Sequence, residues 1–79
     1  MTISILYFGM LAEATGHPSE TWEATDPLSV GQLREQLLQK YPVLRDRKFQ
    51  VAVNQQIADS AMSINTNAEV ALLPPFAGG

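Results

Sequence analysis

The sequence predicts an α+β domain: a mixed sheet of about five strands, one main helix packed across one face, and a short second helix. Three observations predict it. The two most apolar runs, residues 3–8 and 69–73, stand at opposite ends of the chain, as suits neighbours in the middle of one sheet. One strong amphipathic helix pattern lies between them, at residues 28–41. The other strand-like runs are short and divided by proline, glycine and asparagine turns.

Composition narrows the class of function. Seventy-nine residues, 46% of them hydrophobic, make one domain. A chain this size buries only about 60–65% of its unfolded surface, so few residues can be spared for an internal active site. A net charge of −3 and a pI near 4.8 oppose nucleic-acid binding, which needs a basic face. Without cysteine there is no disulfide, thiolate metal site or cysteine nucleophile. The start, Met-Thr-Ile-Ser-Ile, lacks the basic and long apolar regions of a signal peptide. No apolar run approaches the ~20 residues that span a bilayer. The expectation is a cytoplasmic protein that binds no metal, nucleic acid or membrane.

In order along the chain, Ile3 and Ile5 share one face of a first strand over residues 2–8, which becomes apolar on both faces through Leu6, Tyr7 and Phe8. Gly9 breaks it. Met10, Leu11 and Ala14 give residues 10–15 the apolar side of a short helix, with Gly16 as its terminator. After His17-Pro18, residues 19–25 alternate weakly around Trp22 and Ala24. They read as a second strand antiparallel to the first, ended by Asp26-Pro27.

Ser29 with Gln32 three residues on forms a capping box, and Leu28 is placed as a staple in front of it. Val30, Leu33, Leu37 and Tyr41 then follow at three- and four-residue spacing until Pro42 stops the helix. Residues 43–48 are a polar connector with room for one helical turn. Phe49, Val51 and Val53 alternate with Gln50 and Ala52 in a third strand. Asn54-Gln55-Gln56 is a turn, 57–58 a brief strand, and the stretch around Met62 and Ile64 a loop. Asn65-Thr66-Asn67 is a second turn, because asparagine tolerates the left-handed region. Glu69 to Leu73 is the last strand. This order of elements is that of the β-grasp.

The chain closes on Pro74-Pro75-Phe76-Ala77-Gly78-Gly79. Two prolines forbid helix and ladder pairing, and two glycines offer bare backbone. Residues 1–73 therefore read as the domain and 74–79 as an extended finger, ending in a carboxylate.

These residues resemble the sulfur-carrier small subunits of molybdopterin synthase, which are ThiS-like and ubiquitin-related. The resemblance rests on Leu-Pro-Pro-Phe-Ala-Gly-Gly after Glu-Val-Ala-Leu, on the Val53-Asn54-Gln55 turn, and on Ile-Leu-Tyr-Phe leading into a Glu13…Gly16 helix. It covers essentially the whole chain. Family members usually carry Gly-Asp before Glu-Val, and here Asn67-Ala68 stands instead.

The resemblance implies that Gly79, admitted with Gly78 into partner active sites, is adenylated and converted to a thiocarboxylate. It then gives sulfur to cyclic pyranopterin monophosphate. The residue chemistry is compatible: a C-terminal carboxylate, with a pKa near ~3.5, is a poor electrophile until activated. The chain has no phosphate-cradling Gly-x-x-x-x-Gly-Lys-Ser/Thr loop, so ATP would be used in trans by an E1-like adenylating enzyme. No cofactor is expected on the carrier itself. Catalytic residues are expected in the large subunit, in a two-plus-two heterotetramer. The resemblance further implies that Phe8, Ile57 and Leu73 line an apolar docking patch, with Pro74, Pro75, Phe76 and Ala77 entering the partner. A place in the core is the competing reading for these three.

Other residues carry less. His17 has no second ligand at metal spacing, and Trp22 on a strand reads as packing. Arg45-Asp46-Arg47-Lys48 is a solvated loop or a steering patch for an acidic partner. Glu13, Glu35 and Asp59 show no pairing for acid–base work. Two other functions share the finger: a sulfur carrier for thiamin thiazole assembly, and a ubiquitin-like modifier of lysines.

Overall fold

A computed structural model describes residues 1–75 of the chain. Its elements are β1 (Thr2–Tyr7), α1 (Met10–Thr15), β2 (Ser19–Glu23), β3 (Leu28–Ser29), α2 (Val30–Lys40), a 3-10 helix (Pro42–Asp46), β4 (Gln50–Val53), β5 (Gln56–Ile57), β6 (Ser63–Ile64) and β7 (Glu69–Leu73). Five strands form one sheet in the order β2-β1-β7-β4-β5. The two terminal strands lie parallel, Ile5 opposite Val70, while β2, β4 and β5 pair antiparallel with their neighbours. The fold is the β-grasp.

The sheet's inner face is built by strand alternation. Ile3, Ile5 and Tyr7 from β1, Val70 and Leu72 from β7, and Val51 and Val53 from β4 are all buried. They cluster with Val30, Leu33 and Leu37 of α2. Each such apolar side chain contributes about 1.5–3 kcal/mol on burial. The capping box forms in full: Ser29 Oγ accepts from the Gln32 N–H at 3.1 Å and Gln32 Oε1 accepts from the Ser29 N–H at 2.8 Å. Gly16 ends α1 in the left-handed region, at φ +82°, where a Cβ would be strained.

Several boundaries shift from the sequence reading, each for a physical reason. The main helix starts at Val30, because Leu28 and Ser29 instead pair with Ile64 and Ser63 in a second, two-stranded sheet. The stretch read as a loop around Ile64 thus holds a strand, too short for period-2 alternation to reveal. The connector after Pro42 is a 3-10 helix whose Leu44 is 1% exposed and plugs the core. The brief fifth strand is Gln56–Ile57, one residue earlier than read, since Asn54 and Gln55 both take positive φ and close the hairpin by themselves.

Glu20, which the sequence did not single out, holds the β2 edge to the end of α2. Its carboxylate accepts from the Tyr7 and Tyr41 hydroxyls, both at 2.7 Å, from Trp22 Nε1 at 3.2 Å and from Lys40 Nζ at 3.3 Å. Burial alone would raise its pKa. The hydrogen bonds from Tyr41, Tyr7, Trp22 and Lys40 outweigh burial and hold it at about 2.

Candidate functional site

The root of the expected C-terminal finger, Leu73 to Pro75, is positioned by three elements. β7 is clamped between β1 and β4 and carries Leu73 to the end of this central strand, where Pro74 ends the ladder. The Phe8 N–H donates to the Leu72 carbonyl at 3.1 Å, extending the β1–β7 ladder by one bond. Gly9 then turns the chain away at φ +58° beneath Pro74. Pro74 is half-buried, and Pro75 is exposed and lies in a turn. The expected reactive residue Gly79, with Phe76, Ala77 and Gly78, lies outside the described residues.

Beside this root, the outer face of the sheet carries an apolar stripe. Leu6 pairs with Ala71, Ala71 with Ala52, and Ala52 with Ile57, so one register line crosses four strands. Paired residues share a face. One step along, the alternation brings Phe8 and Leu73 to the same face, at the end from which the finger leaves. Phe8 is 44% exposed and Ile57 61% exposed. Leu73 is half-buried, with Val70 and Leu72 in its own strand taking the core positions. Phe8, Ile57 and Leu73 are thus brought together on one outward face.

Leu6, Ala71 and Ala52 complete the stripe and were not singled out by sequence. Leu6 could have been found from its parity with Phe8. Ala52 could not: only the pairing places it between Ile57 and Ala71, where it is 4% exposed despite facing away from the helix. The Asn54-Gln55 turn supports Ile57. Asn54 exchanges backbone with Glu69, its N–H donating to the Glu69 carbonyl at 2.8 Å, while its Oδ1 accepts from the Glu69 N–H at 3.0 Å. These two bonds tie the hairpin to the start of β7.

Phe8 and Ile57 leave exposed apolar surface on the same outer face as the half-buried Leu73, next to Pro74 and Pro75. Among the described residues, no group of three or more His, Cys, Asp and Glu side chains is placed to hold a metal. No described helix is long and apolar enough to cross a membrane.

Comparison with known proteins gives the family. The family model described as the ThiS family matches residues 5–79. The chain belongs to the ThiS family. A molybdopterin synthase sulfur carrier subunit from Mycobacterium tuberculosis is 44% identical to it, over 98% of this chain and 96% of that one. The protein of the same description from Homo sapiens is 32% identical, over 98% and 93%. Among solved structures, a putative molybdopterin converting factor subunit 1 from Pyrococcus furiosus superposes with a TM-score of 0.89. It has 16% identity and covers 95% of this chain and 98% of its own. A protein–protein complex of subunits 1 and 2 of molybdopterin-converting factor from Helicobacter pylori matches with a TM-score of 0.71 at 21% identity, over 100% of both chains. At these identities the structures establish the shared β-grasp of this ThiS-family member.

Proposed function

We propose that this chain is the sulfur-carrier subunit of a molybdopterin synthase. The observation that supports it most strongly is the similarity to the mycobacterial sulfur carrier, 44% identical over 98% of this chain. The fold supplies the handle and residues 74–79 supply the reactive end.

On this reading an E1-like enzyme binds ATP, and the Gly79 carboxylate attacks its α-phosphorus with loss of pyrophosphate. Hydrosulfide then attacks the acyl carbon, the acyl–phosphate bond breaks with AMP as leaving group, and loss of the S–H proton gives the thiocarboxylate. Activation is required because a carboxylate, ionised at neutral pH, resists nucleophilic attack. The thiocarboxylate enters the large catalytic subunit and gives its sulfur to cyclic pyranopterin monophosphate. Two carriers acting in turn, in a two-plus-two heterotetramer, supply the two sulfurs of the dithiolene. The carrier itself binds no cofactor. Its glycines allow close backbone approach in both partner sites, and Phe8, Ile57 and Leu73 form the docking face.

Intact mass of the chain isolated from its source tests this reading. Replacement of one C-terminal oxygen by sulfur is expected, and a chain lacking Gly79 should transfer no sulfur. Normal transfer without Gly79, or adducts joining the C-terminus to lysines of other proteins, would reverse it.

A further inference from the structure

A second surface lies beside the finger, round the corner from the sheet's apolar stripe. Met10 and Leu11 of α1, Asp46, Arg47 and Lys48 after the 3-10 helix, and Pro74 with Pro75 enclose an open crevice of about 270 Å³. Its walls on the α1 and finger sides are apolar, and Met10 is 53% exposed there. Its remaining rim is charged, with two cations and one acid.

The distribution of charge makes this rim unusual for the molecule. Three of the five basic residues, Arg45, Arg47 and Lys48, fall within four positions, and only one of the eight acids, Asp46, stands among them. The other two cations are occupied internally. Arg34 stacks on the Phe49 ring at 4.2 Å, and Lys40 binds Glu20 at 3.3 Å. Among the described residues, Arg45, Arg47 and Lys48 have no carboxylate within 4.0 Å. A local positive rim on an otherwise acidic protein, with no carboxylate partner among the described residues, is complementary to a negative segment from outside. The adjoining apolar walls suit a hydrophobic anchor in that segment. Because Pro74 and Pro75 form one wall, whatever sits in the crevice also touches the finger's root.

We propose that this crevice seats an acidic segment, bearing an apolar anchor, of the large subunit that receives the finger. The docking surface then has two parts: the apolar sheet face, which supplies contact area, and the basic crevice, which fixes the angle at which the finger enters. The inference rests on the reading of the chain as a subunit that docks with a larger one.

The test uses the full chain and the large subunit from the same source, with affinity measured at low and high salt. Arg47→Gln with Lys48→Gln should weaken binding at least tenfold and flatten its salt dependence. A charge-matched control, Gln36→Glu with Gln39→Glu on the exposed side of α2, should leave affinity within twofold. Thermal unfolding of both variants checks that each is folded. In the wild type, the amide signals of Met10 and Leu11 should shift when the large subunit is added. Equal binding by the Arg47/Lys48 variant, or unshifted signals, overturns crevice docking alone. A wild-type chain that binds no large subunit overturns both this and the subunit reading. Nuclear Overhauser contacts from the Phe76 ring to Met10 and Leu11 in the free chain would assign the crevice to the chain's own finger and overturn the proposal.

Discussion

Gly9 passes so close beneath Pro74 that a Cβ on the glycine would lie 3.2 Å from the proline Cγ. The glycine also holds φ +58° and ψ −133°, a region that residues with a side chain rarely adopt. Both facts tie the β1–α1 turn to the point where the finger leaves the sheet. Gly9→Val should therefore cost about 1–3 kcal/mol of stability through backbone strain. It should also weaken large-subunit binding beyond the loss explained by unfolding. Urea titration and binding by the folded fraction separate the two effects, and unchanged affinity of the folded fraction would confine Gly9 to a structural role.

Ile57 and Leu73 share the outer sheet face but differ in depth, so they report differently. Ile57→Arg changes a side chain that is 61% exposed and should alter stability by no more than about 0.5 kcal/mol. Its partner affinity should still fall by about 2 kcal/mol, the scale of an apolar anchor at an interface. Leu73→Arg, at the finger's root, should abolish measurable binding to the large subunit while the domain stays folded. Calorimetry for binding and thermal unfolding for stability check both. Unchanged affinity in either folded variant would remove that residue from the interface.

How much of this was legible in the sequence depends on the range of each interaction. The Ser29–Gln32 box, the αL residue Gly16 and the strand Glu69–Leu73 are written in residues a few positions apart, and each stands where it was read. The pairing of Leu28 with Ile64 joins residues 36 positions apart through a two-residue ladder, which leaves no local period. Glu20 is the same case: its partners Tyr7 and Tyr41 lie 13 and 21 residues away, so nothing near it marks it as a hub. For the outer sheet face, alternation puts Leu6 and Phe8 on the same side, but only register brings Ile57 into line with Ala71.

Ser29 has two duties that a single substitution can separate. Its hydroxyl caps α2, and its backbone belongs to β3, opposite Ser63. Ser29→Ala removes the first and leaves the second, so it should cost about 1 kcal/mol, the usual value of an N-cap. Ser29→Gly retains a tolerated cap residue and should cost only a few tenths from the cap itself, plus the loss of strand preference. Chemical denaturation that ranks glycine well below alanine would show that the strand outweighs the cap.

Glu20 makes part of the fold's stability depend on pH. The Tyr41, Tyr7, Trp22 and Lys40 donors overcome burial and lower its pKa from 4.5 to about 2. A depressed carboxyl stabilises the folded state fully above its unfolded pKa and loses that contribution as pH falls through the folded one. The window is therefore about pH 4.5 down to 2. On the alkaline side, burial first and then the hydrogen bond to Glu20 push the Tyr41 hydroxyl up from 10.0 to about 12. That contribution is complete below pH 10 and lost as pH rises through 12. Glu20→Ala leaves several partly buried donors without their acceptor and should cost about 2–4 kcal/mol near neutral pH. Glu20→Gln keeps one acceptor oxygen but no charge. Its stability deficit against wild type should be constant above pH 5 and close as pH falls towards 2. Urea titrations of both proteins across pH 2–7 measure that gap; a deficit that stays constant at low pH would show that the charge on Glu20 contributes nothing to the fold.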